Sequence, residues 1–124
     1  MIRLTVQGGF SSAHFLRNYN GKCERLHGHN WKVQIEVSGN STDSQGLLMD
    51  FTFLKQELNK VLETLDHKVL NEDVEFFQKN NPTAENICRY IFENLKCSLN
   101  NNNCKLTAVT VYETESSSCK LEIE

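Results

Sequence analysis

Trp31, Val33, Ile35 and Val37 alternate with Lys32, Gln34, Glu36 and Ser38. Period-two alternation sends the apolar side chains to one face of an extended strand and the polar ones to the other. No other stretch constrains the fold as strongly: it demands a half-buried strand, and so a sheet with one face against a core. Ile2, Leu4 and Val6, alternating with Arg3, Thr5 and Gln7, predict a second such strand at the start of the chain. The connection between the two, residues 15–26, is rich in Asn, Gly and charge. A connection of that length inside a small domain is more often functional than idle.

Gly39 to Gln45 is polar and predicts a turn. Asp50 is placed to accept the free amide protons of a helix's first turn. Behind it Phe51, Leu54, Leu58, Val61, Leu62 and Leu65 recur at helical spacing and form one apolar stripe, with Asp66 and His67 at its end. Pro82-Thr83 predicts a second helix start with Thr83 as its cap, and Ile87, Tyr90, Ile91 and Leu95 supply the apolar face. Leu99 to Asn103, with four consecutive asparagines, predicts a solvated loop. Leu106, Ala108, Thr110 and Tyr112 then alternate, as do Cys119, Leu121 and Ile123, and Thr114 to Ser118 between them predicts a hairpin. The expected order is strand, strand, helix, helix, strand, strand. That is an α+β domain over residues 1–124, with an antiparallel four-stranded sheet and two helices on one face.

Composition narrows the function classes. The formal charge is −3 and the pI about 5.8, and no basic stripe stands out, which disfavours nucleic-acid binding. The apolar runs are too short to span a bilayer. Met1-Ile2-Arg3-Leu4-Thr5 starts like a strand and lacks the apolar core of a signal peptide, so a cytoplasmic protein is expected. The five cysteines are odd in number and contain no Cys-x-x-Cys, which predicts reduced, partly buried thiols. Cys23 stands apart, four residues before a histidine pair.

All four histidines sit where histidine can do chemistry. His27 and His29 flank Gly28 at the entry to the clearest strand, and side chains at i and i+2 leave a strand on the same face. Gly28 between them would let the backbone bend or another group approach. His14, near the end of the first strand, adds a third nitrogen if the two strands pair. Three imidazoles around one zinc ion leave a tetrahedral position open, as in catalytic sites; adding Cys23 would close it into a structural site. The residues allow either. Cys23 could instead serve as a base, since a thiol near zinc and an imidazole has a lowered pKa. Asp66 beside His67 fits a carboxylate orienting an acid–base histidine. Glu113, near the end of the third strand, could accept from paired N–H donors of a ring edge.

Six segments, in order along nearly the whole chain, resemble the 6-pyruvoyl-tetrahydropterin synthase / 6-carboxytetrahydropterin synthase family: Phe10-Ser11-Ser12-Ala13-His14, Cys23-x-x-x-His27-Gly28-His29, Gly46-Leu47-Leu48-Met49-Asp50-Phe51, Leu65-Asp66-His67-x-x-Leu70-Asn71, Pro82-Thr83-Ala84-Glu85-Asn86 and Tyr112-Glu113-Thr114. The resemblance implies a tunnelling fold whose subunits close into a ring around a barrel, two rings commonly stacking into a hexamer with active sites between subunits. It implies zinc on His14, His27 and His29. It implies catalysis by Cys23, Asp66 and His67, the last two from a neighbouring chain, and a pterin held by Glu113 with Thr83 lining the pocket. The implied substrate is 7,8-dihydroneopterin triphosphate, which loses triphosphate by elimination; Arg17, Lys22 and Arg25 are available to meet that group. The cysteine separated by three residues from His-Gly-His resembles the bacterial 6-carboxytetrahydropterin synthases of queuosine and deazapurine synthesis more than the animal-type 6-pyruvoyl enzymes. In that branch a retro-aldol step also releases acetaldehyde. The competing expectations are a 6-pyruvoyl-type lyase and a zinc-stabilised module without catalysis.

Overall fold

The computed structural model describes residues 1–19, 21 and 25–123. Its elements are β1 (Ile2–His14), β2 (His27–Gly39), α1 (Phe51–Glu63), β3 (Lys68–Val69), α2 (Leu70–Asp73), α3 (Glu75–Lys79), α4 (Ala84–Leu99), β4 (Cys104–Thr114) and β5 (Ser117–Glu122). They form an α+β domain around one sheet in the order β3-β1-β2-β4-β5. β1 and β2 pair antiparallel along their whole length, from Ile2 opposite Gly39 to His14 opposite His27. β4 continues the antiparallel ladder beside β2, and β5 folds back on β4.

The alternation in β2 does what its pattern requires. Trp31, Val33, Ile35 and Val37 are buried, while Lys32 stands on the opposite, open face. α1 covers β1, α4 covers β4 and β5, and the two helices touch each other. Leu54, Leu58, Val61 and Leu62 of α1 meet Ile87, Ile91 and Leu95 of α4 within the core. Fully burying one such leucine stabilises the fold by roughly 1.5–3 kcal/mol. Asp50 caps α1, its Oδ1 accepting the Thr52 amide at 2.7 Å, and Thr83 caps α4 by accepting the Asn86 amide at 3.1 Å. No helix among the described residues is long and apolar enough to cross a membrane.

The fold departs from the expectation in four places. The sheet has five strands and is mixed, because Lys68–Val69 pairs parallel with β1 at Ser12 and Ala13. Two residues are too few to show a period. The two short helices α2 and α3 escape for the same reason. Phe51 opens α1 but stays 52% exposed, off the buried stripe, and Leu99 ends α4 fully buried, so the loop begins at Asn100. Finally, β4 changes phase. Glu36 pairs with Ala108 and Val37 with Leu106, which leaves Thr107 as an extra residue in a β-bulge. Beyond it Val109 and Val111 face the core in place of Thr110 and Tyr112.

Candidate metal centre

His14 is the last residue of β1, and its partner across the ladder is His27, the first of β2. Directly opposed antiparallel residues project to the same side. His29 follows two residues on and shares that side. The bulge at Thr107 puts Glu113 there as well, in step with buried Val109 and Val111. One nitrogen or oxygen from each of His14, His27, His29 and Glu113 lies within 4.8 Å of all the others. Trp31 closes the inner end of the group, its ring edge-on to His14 at 5.0 Å and to His29 at 5.1 Å between centroids.

The outer nitrogens of two histidines are fixed by backbone. His14 Nδ1 lies 2.7 Å from the Pro82 carbonyl, and His27 Nδ1 lies 2.7 Å from the Arg25 carbonyl. A carbonyl oxygen only accepts, so each Nδ1 carries a proton, and in its neutral form each ring presents a lone pair at Nε2. Those two Nε2 atoms are 3.0 Å apart. His29 Nε2 is buried and makes no aligned hydrogen bond, although Glu113 Oε1 stands 3.1 Å away. The lone pairs of His14 and His27 therefore converge beside His29 Nε2 and the Glu113 carboxylate, an arrangement that a cation resolves. Two ligands of a tetrahedral zinc sit about 3.3 Å apart, close to the spacing seen. Burial pushes His14 and His29 below the ordinary imidazole value of 6.5; for His14 the Pro82 carbonyl and Glu113 pull upward, and the other two histidines push further down. Neutral rings are the ligand form.

Asp66 and His67 are built differently. Both follow α1, where His67 takes a left-handed backbone at φ 57° and donates its amide to the Ser11 carbonyl at 2.7 Å. Asp66 Oδ1 accepts the Ser11 amide at 2.8 Å, and Asp66 Oδ2 lies 2.9 Å from His67 Nδ1. The Ser11 amide, with His67 adding, holds the Asp66 carboxyl below its ordinary value. The pair predicted from sequence thus forms, but the His67 side chain is 84% exposed, next to β3 at the sheet edge, and is not part of the histidine cluster.

Glu113, expected to anchor a ring, is brought both to the metal ligands and to a cavity of about 280 Å³ lined by Ala84, Glu85, Ser117, Ser118 and Cys119. Thr83 directly precedes this lining. Arg17 Nη2 donates to the Phe77 carbonyl at 2.7 Å. Cys23, the expected base, and Lys22 lie outside the described residues. Within the chain a Cβ at Gly28 would touch only the Ser12 carbonyl, at an ordinary 3.8 Å. Cys88, Cys97, Cys104 and Cys119 are free thiols, with Cys88 and Cys104 buried. Sequence reading missed the Pro82 carbonyl, whose residue signalled only a helix start, and the Ser11 amide, which no side-chain motif reveals.

A five-stranded mixed sheet backed by helices, with three histidines and a glutamate at the end of its hairpin, defines a candidate metal-dependent enzyme. The chain belongs to the family described as 6-pyruvoyl tetrahydropterin synthase, whose profile matches residues 3 to 124. It is similar to the 6-carboxy-5,6,7,8-tetrahydropterin synthases of Bacillus subtilis (36% identical, covering 88% of this chain and 77% of that protein) and Haemophilus influenzae (30%, covering 98% and 99%). Among solved structures it is similar to 6-pyruvoyl tetrahydropterin synthase of Caenorhabditis elegans, at a TM-score of 0.89 and 32% identity over 99% of this chain and 96% of the other.

Proposed function

We propose that this chain is a zinc-dependent lyase that converts 7,8-dihydroneopterin triphosphate and one water to 6-carboxy-5,6,7,8-tetrahydropterin, triphosphate and acetaldehyde. The observation that carries this is the convergence of three imidazole nitrogens and the Glu113 carboxylate beside a cavity, in a chain of this family. His14, His27 and His29 would hold the ion, which when bound supplies Lewis acidity to side-chain hydroxyls of the substrate. Glu113 accepts the paired N–H groups of the pterin edge, and Thr83, beside Ala84, borders the slot. Cys23 abstracts a side-chain proton. His67 carries the second proton at Nε2, because Asp66 keeps Nδ1 as the donor. Triphosphate leaves by elimination, and retro-aldol cleavage then leaves the carboxyl group on the ring.

The spacing of Cys23, with three residues between it and His27-Gly28-His29, favours this outcome, as do the names of the Bacillus and Haemophilus relatives. The likeness to the C. elegans structure favours a second outcome, in which only triphosphate is eliminated and a 6-pyruvoyl product remains. Incubation with the triphosphate, followed by product mass and an acetaldehyde assay, separates them. A 6-pyruvoyl product without acetaldehyde overturns the first. Replacing Arg25, exposed beside His27, by alanine should raise KM if it meets the triphosphate. The reading places the enzyme in the cytoplasm, in synthesis of queuosine-type deazapurines.

The exposure of His67 supports a site shared between copies, in a ring-forming homohexamer. Mixing a Cys23→Ala with a His67→Ala variant should restore activity through subunits that combine one intact group from each. No recovery after verified subunit exchange would sink the shared site.

A further inference from the structure

β1 ends at His14, yet its ladder continues without a strand. β3 pairs with β1 at Ser12 and Ala13. At Phe15 the partner is a side chain: Asn71 Oδ1 accepts the Phe15 amide at 3.0 Å and Asn71 Nδ2 donates to the Phe15 carbonyl at 2.8 Å. Two residues on, Asn81 repeats the pattern, its Oδ1 accepting the Arg17 amide at 2.9 Å and its Nδ2 donating to the Arg17 carbonyl at 3.0 Å. One carboxamide thus satisfies both backbone groups of one residue, the same exchange that a strand residue makes in a hydrogen-bonded pair. Arg17 returns the contact through its guanidinium, donating to the Phe77 carbonyl at 2.7 Å.

The second asparagine also reaches His14 by another path. The Asn81 carbonyl accepts the Thr83 amide at 2.8 Å and Asn86 Nδ2 at 2.9 Å. Those bonds fix the turn around Pro82, whose carbonyl accepts His14 Nδ1. His14 is therefore held from two sides, by the chain that follows it and by the carbonyl that orients its ring. Asn71 is 4% exposed, so its carboxamide cannot exchange these partners for water cheaply.

We infer that Asn71 and Asn81 are positioning residues that splint the backbone after His14 and so set the geometry of the three-histidine metal site. The inference rests on the metal-site reading above. Partners that orient a metal-bound histidine typically change affinity by about 10–100-fold when removed.

The test is zinc affinity of the full metal-free chain, measured by chelator competition, with circular dichroism and thermal unfolding alongside. Asn71→Ala and Asn81→Ala should each remain folded at room temperature and bind Zn2+ about 10–100-fold more weakly. Asn81→Asp keeps the acceptor for the Arg17 amide and should recover part of the loss. Asn80→Ala, which removes only a bond to the Phe76 carbonyl, should leave affinity unchanged. Should Asn71→Ala fail to fold, the half-buried Asn81 variants decide. Folded Asn81 variants that bind zinc like the parent overturn the inference while leaving the metal site intact. A parent chain that takes up no zinc overturns the metal reading and the inference with it.

Discussion

The histidine cluster and the Asp66–His67 pair are both histidine sites that lean on strand β1, through His14 and through Ser11, yet they are finished to different degrees. In the cluster, His14 is 2% exposed, two rings have their outer nitrogens pinned by carbonyls, and the inner nitrogens converge. In the pair, Asp66 is equally well fixed by the Ser11 amide, but His67 points into solvent. One chain therefore suffices to gather the four candidate metal ligands, whereas the proton carrier proposed at His67 is left facing outward. Burial serves the first role by favouring the neutral form of His14 and His29. Exposure leaves the second free to meet something outside the subunit.

The sharpest way to break this contrast is His29→Ala. It removes one of the three proposed nitrogen ligands, and activity should fall to background together with zinc content, measured by metal analysis. Retained zinc would show that the cluster is not the metal site. His67→Ala should lower kcat by about 10²–10⁴-fold, the usual range for a lost acid–base group, with zinc content and thermal midpoint unchanged. Loss of zinc in that variant would erase the distinction between the two regions.

Glu113→Gln tests which region the carboxylate serves. As a ring anchor it should raise KM by about 10–100-fold with zinc retained, in keeping with about 1.5–3 kcal/mol for a charge-assisted hydrogen bond. Zinc loss would make it a ligand instead. A smaller effect comes from pH. Because His14 and His29 titrate below 6.5 in the folded chain, the unfolded chain binds more protons just under that value. Stability of the metal-free protein should then rise with pH up to about 6.5 and be lost as pH falls through that window, with solvent screening making the His29 share the smaller. A flat thermal midpoint between pH 5 and 7 would contradict burial as the cause. Smallest, Thr83→Ala should cost about 1 kcal/mol of stability through the lost cap, read by denaturant unfolding.

The sequence was most readable where a period was long enough to count. β2 and the buried faces of α1 and α4 follow directly from alternation and helical spacing, and His27-x-His29 falls on one face for the same reason. Asp50 and Thr83 cap as their positions require. Elements of two to five residues carry no period, so β3, α2 and α3 stayed hidden, and with them the parallel pair that seats Asp66 and His67. Asn71 and Asn81 were unreadable for a related reason: a carboxamide that imitates a strand has no pattern of its own. The alternation 106, 108, 110, 112 was misleading because the bulge at Thr107 reverses its phase halfway along.

That reversal imposes a parity rule on the strand. Upstream of Thr107 the even-numbered residues face the core; downstream the odd ones do, and Glu113 inherits its place beside the histidines from this offset. Deleting one residue between Thr107 and Glu113 would turn the carboxylate to the opposite face, whereas deleting two would only shorten its reach. Length changes in this short stretch are thus filtered by whether they are odd or even before any side chain is considered.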